Sequence, residues 1–225
     1  MRTILSVLIW AAIPAVLWAD GGEFSFAASA PQPVTVGNFS FESPAHGDGG
    51  FVVGSLPSWT ASGTAGNFNP AASHYSGPFP DGVQLGFLNP GAQLTQTLSD
   101  VLAAGTYTLA VDVVERDDSS APNYQVQLFA GSTLLGEFDQ TDFPTVDNNF
   151  VSGSVTAVIP GSHLELGQPL EIRLLSNSGG QFNPDNVQLF FEAPPLTPEP
   201  GSLALFAVAV LAFGVYWRRQ RRCSA

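Results

Sequence analysis

Apolar and polar residues alternate with a period of two along much of the chain. Val83-Gln84-Leu85-Gly86-Phe87, Gln93-Leu94-Thr95-Gln96-Thr97-Leu98 and Tyr107 to Val114 read this way. So do Tyr124 to Phe129, Val151 to Ile159, Leu170 to Leu175 and Val187 to Phe191. Successive side chains of a strand point to opposite faces, so the period predicts strands. In the strand from Tyr107, Leu109, Val111 and Val113 share one face with that tyrosine, and Thr108, Ala110, Asp112 and Val114 share the other. That places Asp112 near a wet edge or a loop. Turn residues separate the runs: Asn89-Pro90-Gly91, Ala104-Gly105, Ala130-Gly131-Ser132, Pro160-Gly161 and Ser178-Gly179-Gly180. Asp100 to Ala104 reads as one helical turn at most, and Asp139 to Phe150 as a longer loop. About eight to ten short strands with no helix between them predict an all-β fold, an antiparallel β-sandwich.

Both ends depart from this pattern. Met1-Arg2 is a short positive start, and Ile4 to Ala19 is apolar apart from Ser6 and Pro14, until Asp20-Gly21-Gly22 ends the run. This is the layout of a secretory signal peptide. Cleavage after Ala19 and cleavage at Ala28-Ser29-Ala30 both have partial support. At the other end Pro198-Glu199-Pro200 precedes an uncharged stretch, Leu203 to Trp217, and then Arg218, Arg219, Arg221 and Arg222. A helix over 201–217 spans roughly 25 Å, near the lower limit for crossing a bilayer. Arginines beside it stay on the cytoplasmic side and leave the rest of the chain outside. The triplet, the apolar helix and the arginine cluster together resemble the PEP-CTERM sorting signal. The resemblance implies recognition by an exosortase, an inner-membrane intermediate, and a destination at the cell surface or in the extracellular matrix. The expected organisation is a signal peptide and leader (1–30), a β-sandwich domain (31–193), a proline-rich spacer (194–200), a transmembrane helix (201–217) and a cytoplasmic tail (218–225).

Charge narrows the partners. Of 19 acidic residues, 16 remain once Asp20, Glu23 and Glu199 are set aside, against Arg116 and Arg173, so the domain is near −14. Such a surface repels phosphate backbones, which argues against nucleic acid. Cys223 lies beyond the apolar helix, so no disulfide holds the domain.

A second set of motifs runs through the domain. Asn38-Phe39-Ser40-Phe41-Glu42 opens it, and Pro57-Ser58-Trp59-Thr60, Pro80 to Leu85, Leu94 to Leu98 and Ala104 to Leu109 follow, with Asp185-Asn186-Val187-Gln188-Leu189 near the end. This order resembles the galactose-binding-like jelly rolls, carbohydrate-binding modules among them. The resemblance implies a jelly roll and a structural calcium tying the first strand to the last, with Glu42 and Asp185 at the matching positions and Asp48 beside them. Calcium takes six to eight oxygen ligands, and an acidic domain supplies them. It also implies glycan binding through exposed loop aromatics, with Tyr75, Phe79 and Tyr124 as candidates and extracellular polysaccharide as the partner. Trp59 reads as a core anchor, or alternatively as a sugar platform.

Catalysis has no visible motif. His46, His74 and His163 lack metal-ligand spacing, no nucleophile elbow is present, and the Glu115–Asp118 charge run reads as a solvated loop. The expectation is therefore a non-enzyme: a matrix or glycan-associated module, alternatively a spacer without a ligand, and last a glycan hydrolase.

Overall fold

The computed structural model describes residues 30–71, 73–75, 78–146 and 149–195. The signal peptide, the Pro-Glu-Pro triplet, the 201–217 stretch and the arginine cluster lie outside these residues. The described residues form twelve strands: β1 (Gln32–Val34), β2 (Phe51–Val53), β3 (Thr60–Ser62), β4 (Ala65–Phe68), β5 (Leu85–Leu88), β6 (Gln93–Val101), β7 (Gly105–Val114), β8 (Pro122–Ala130), β9 (Thr133–Asp139), β10 (Val151–Ile159), β11 (Pro169–Gly179) and β12 (Asn183–Glu192). None of them holds a helix long and apolar enough to cross a membrane. The helical turn expected at Asp100 is instead the end of β6, where Val101 pairs with Pro169.

All pairings are antiparallel. One sheet runs β1-β12-β7-β10, a second β3-β6-β11-β8-β9, and a third β2-β4-β5. The first two face each other as a sandwich. Tyr107, Leu109, Val111 and Val113 of β7, with Val187 and Leu189 of β12, meet Leu94, Val126, Leu128, Ile172 and Leu174 in one apolar core. The alternation read from sequence is what buries them, since every second residue of a strand shares a face. Trp59 is part of this core: it packs on Phe41 at 5.5 Å and donates its indole N–H to the Asn38 carbonyl.

The third sheet is joined to the first. Leu88 and Phe182 form a bridge with reciprocal backbone hydrogen bonds of 2.9 Å, which lays β5 beside the start of β12. The result is one continuous surface from β2 across to β10. Its outer side carries a second, smaller apolar cluster of Phe68, Tyr75, Leu85, Phe87 and Val114.

β1 to β4 and β9 had no expectation from alternation. β1 to β4 hold three or four residues each, too few to show a period, and β9 is an edge strand whose exposure does not alternate.

Phe182 is fully buried and stacks on Tyr124 at 4.6 Å with rings 9° from parallel. Phe182→Ala removes that stack and leaves a cavity, and should cost about 3–5 kcal/mol. Phe51→Leu, at an exposed ring, should cost no more than about 0.5 kcal/mol. Urea denaturation of the two variants checks this contrast.

Candidate active site

The outer surface acquires its polar residues through one irregularity in β12. Asp185 pairs with Asp112, but the next paired residue is Gln188 with Ala110, so one extra residue is inserted. Asn186 takes up the bulge at φ 48°, a left-handed conformation that asparagine tolerates better than other side chains. The insertion reverses the alternation. Val187 and Leu189 turn into the main core, while Asn183 and Asp185 turn outward, beside Val114 and Asp112 of β7.

At one end of this surface is a cavity of about 330 Å³. Phe51, Phe68 and Phe87 line it from β2, β4 and β5, and His74, Asn89, Arg116 and Gln181 supply its polar wall. Phe87 stands nearly perpendicular to both other rings, at 82° to Phe51 and 86° to Phe68. Arg116 donates to both oxygens of Asp118, at 2.8 and 2.7 Å, and to Gln181 Oε1 at 3.1 Å. Asn183 Nδ2 also donates to Gln181 Oε1, and the Tyr75 hydroxyl donates to Asn183 Oδ1 at 2.7 Å. A hydrogen-bonded chain thus runs from the cavity wall to a buried phenol, whose pKa burial pushes up. His74 Nε2 lies 3.7 Å from the Asp118 carboxylate, and its Nδ1 is buried with no hydrogen-bond partner. The Arg116 pairing holds the Asp118 carboxyl below the usual range.

Further along the same side, Asp185 is 0% exposed. It accepts the Asn186 amide at 2.7 Å and the Asp81 amide at 3.4 Å. Burial, aided by the nearby Asp112 and Asp81 charges, pushes its carboxyl up to about 8. Asp112 in turn accepts from Asn186 Nδ2 and from the Ser152 hydroxyl. The surface therefore carries a carboxylic acid that stays protonated at neutral pH, the state a general acid requires.

The residues expected to bind ligands fall into separate places. Tyr75 and Phe79 do reach the outer side, where Tyr75 is buried and Phe79 packs half-buried against Phe150 at 6.1 Å. Tyr124 corrects the expectation of a loop ring: it is on β8, fully buried in the main core, with its hydroxyl on the Phe143 carbonyl. Glu42 and Asp185 do converge on one turn, but their oxygens accept backbone amides there. Glu42 Oε1 takes the Val83 and Gln84 amides at 2.7 Å each, and Asp185 takes that of Asp81. Gly82 sits against Glu42 at φ 64°, where a Cβ would come within 2.1 Å of the carboxylate. Asp48 is exposed in a separate turn. Among the described residues no group of three or more acidic, histidine or cysteine side chains is placed to hold a metal ion. In this structure amide hydrogen bonds to the two carboxylates tie the turn.

Reasoning from sequence missed the three phenylalanines as a group, and missed Arg116 and Gln181. The available signal was Arg116 itself, one of two arginines in an acidic domain.

Fold and site together define an all-β domain with an aromatic cavity and a buried acid on one side of its sheet. Residues 32–190 match the HpiC1 cyclase family, and the chain belongs to it. Residues 196–222 match the PEP-CTERM protein-sorting motif, which implies export, a membrane-anchored intermediate and processing by an exosortase. Among solved structures, an apo-form cyclase from Fischerella sp. is 26% identical with a TM-score of 0.67, over 74% of this chain and 98% of its own. A cyclase from Fischerella sp. TAU, solved with 4-(1H-Indol-3-yl)butan-2-one, is 25% identical with a TM-score of 0.64, over 74% and 100%. The Stig cyclase Fisc from the same source is 24% identical with a TM-score of 0.67, over 75% and 100%. No curated protein matches the chain in sequence. The family overturns the expectation of a non-enzyme: its members are cyclases. That expectation rested on the absence of a recognisable catalytic motif in the chain.

A carboxyl whose native pKa is raised holds a proton that the unfolded chain loses. Stability from this group is full below the unfolded value near 3.8 and is lost as pH rises through the native value of about 8. Asp185→Asn should remove this decline. Melting temperatures of wild type and variant measured from pH 5 to pH 9, a window of about four units, should diverge with wild type falling faster.

Proposed function

We propose that the exported domain is a cyclase that holds a small, flat, largely apolar substrate against Phe51, Phe68 and Phe87 and closes a ring with Asp185 as proton donor. The observation that carries the reading is an aromatic cavity sharing one sheet surface with a carboxyl protonated at neutral pH. Family membership supports it. The cavity volume of about 330 Å³ fits a compact ligand such as the indole-bearing ketone bound by the Fischerella cyclase. Protonation makes the substrate electrophilic, a carbon of the same molecule attacks, and the proton lost on ring closure returns to Asp185. Nothing else is consumed. Reaching the acid requires the Asp81 amide to release it, and that 3.4 Å hydrogen bond is the longer of the two on Asp185. Arg116 and Gln181 hold the polar wall, while His74 flanks the cavity with an unpartnered ring nitrogen.

Titration with indole ketones should show saturable binding that falls roughly tenfold in Phe87→Ala, by loss of stacking. Asp185→Asn should keep binding and lose any chromatographically distinct cyclised product by about a hundredfold or more. Binding with equal turnover in both proteins would remove Asp185 from the chemistry.

A second reading is association with extracellular polysaccharide. Phe51 favours it, because this ring at the cavity mouth is 66% exposed beside Asn89 and Gln181, and rings with amide neighbours also suit sugars. Retardation on polysaccharide gels that Phe51→Leu abolishes would support it.

The proposed route to the surface rests on the sorting motif. An exosortase cuts near Pro198-Glu199-Pro200, so alanine at Pro198 and Glu199 should leave full-length chain in the membrane fraction. Immunoblots of membrane and medium check this, and normal release of the variant would exclude it.

A further inference from the structure

The cavity's rings and its charge surroundings point to more than a flat apolar ligand. Phe87 stands at 82° to Phe51 and at 86° to Phe68, so an occupant meets aromatic surfaces on roughly perpendicular planes. Phe51 and Phe68 are directly paired across β2 and β4, and Phe87 projects from the same side of β5. An aromatic face is the negative pole of its quadrupole, and faces arranged as a box attract cations, quaternary ammonium above all. The lining holds one cationic side chain apart from His74. That residue, Arg116, is neutralised in place by two hydrogen bonds to Asp118. The segment Glu115-Arg116-Asp117-Asp118 has three acids against one base, and all four charges act on the Tyr75 phenol nearby. The whole domain is near −14, so its field concentrates cations and repels anions.

We infer that the cavity formed by Phe51, Phe68 and Phe87 is an aromatic cage selective for a positively charged amine or quaternary ammonium group on its substrate. The inference rests on the cyclase reading and names the substrate class of that same cavity. A positively charged nitrogen carried next to the closing ring would be seated here, and charge developing during cyclisation would meet the same rings.

The test uses full-length protein in detergent and a matched pair of probes: choline, and dimethylbutanol, in which carbon replaces the charged nitrogen. Saturation-transfer NMR titrations measure both. Choline should bind roughly tenfold more tightly than its uncharged isostere. Phe51→Leu, which keeps apolar bulk at an exposed position, should abolish most of that preference while leaving the melting temperature unchanged. Equal affinity of the two probes, or a preference that survives Phe51→Leu, overturns the cage. If indole ketones bind and choline shows no preference, the cage alone fails. If neither class binds, the cyclase reading of this cavity fails with it.

Discussion

Where Val114 and Asp112 meet Asn183 and Asp185, the β7–β12 pair is buried on both sides, and the single inserted residue at Asn186 sets which side chains face which way. A regular strand would give Asp185 the same parity as Val187 and Leu189 and would drive a carboxyl into the main apolar core. Burying an unpaired charge there costs far more than one ladder hydrogen bond contributes. The bulge reverses the parity, so the two aliphatic side chains stay inside and the carboxyl turns to the other side. There it finds two amide donors and the company of Asp112. Bulges re-aim side chains in this manner, and the outward placement of Asp185 follows from it.

The second constraint is the bridge between Leu88 and Phe182. Asn183 Nδ2, which donates to the Gly86 carbonyl at 3.1 Å, adds a second tie between β5 and β12. With these ties, the three phenylalanines that line the cavity are carried on the same surface as Asn183 and Asp185. The hydrogen-bonded chain through Gln181 and Asn183 to Tyr75 then connects the polar wall of the cavity to the interior of the second cluster. A domain without disulfides obtains its rigidity in this region from such pairings. Glu42 acts in the same way, since one carboxylate oxygen fixes two successive amides of the turn that covers Asp185.

Fold and function separate clearly in this molecule. A β-sandwich serves sugar-binding modules and cyclases alike, and the sequence motifs of the domain resemble the former while the family is the latter. A domain near −14 with the PEP-CTERM motif is suited to the outside of a cell. The fold alone does not choose between such functions, which depend on the side chains it presents. The family match and the sorting motif occupy different stretches of the chain, residues 32–190 and 196–222.

The sorting signal, the all-β class, the longer strands and the main core were legible in the chain's local patterns. Each rests on a local pattern: charge flanking an apolar run, or alternation at a period of two over five or more residues. Val111, Leu128 and Leu174 can be assigned to inward faces by counting, because a strand's two faces alternate residue by residue. Tyr124 shares the parity of Val126 and Leu128, so the same counting puts it inside, against the loop position expected for it. The cavity could not be found that way. Phe51 and Phe68 come from strands of three and four residues, too short to show a period, and although Phe87 lies in an alternating run, the three rings meet only through the pairing of β2, β4 and β5. Asp185 is one acid among 19 in the chain. Only the tertiary structure made it an acid at neutral pH, because protonation follows burial, and burial depends on which strands lie beside it.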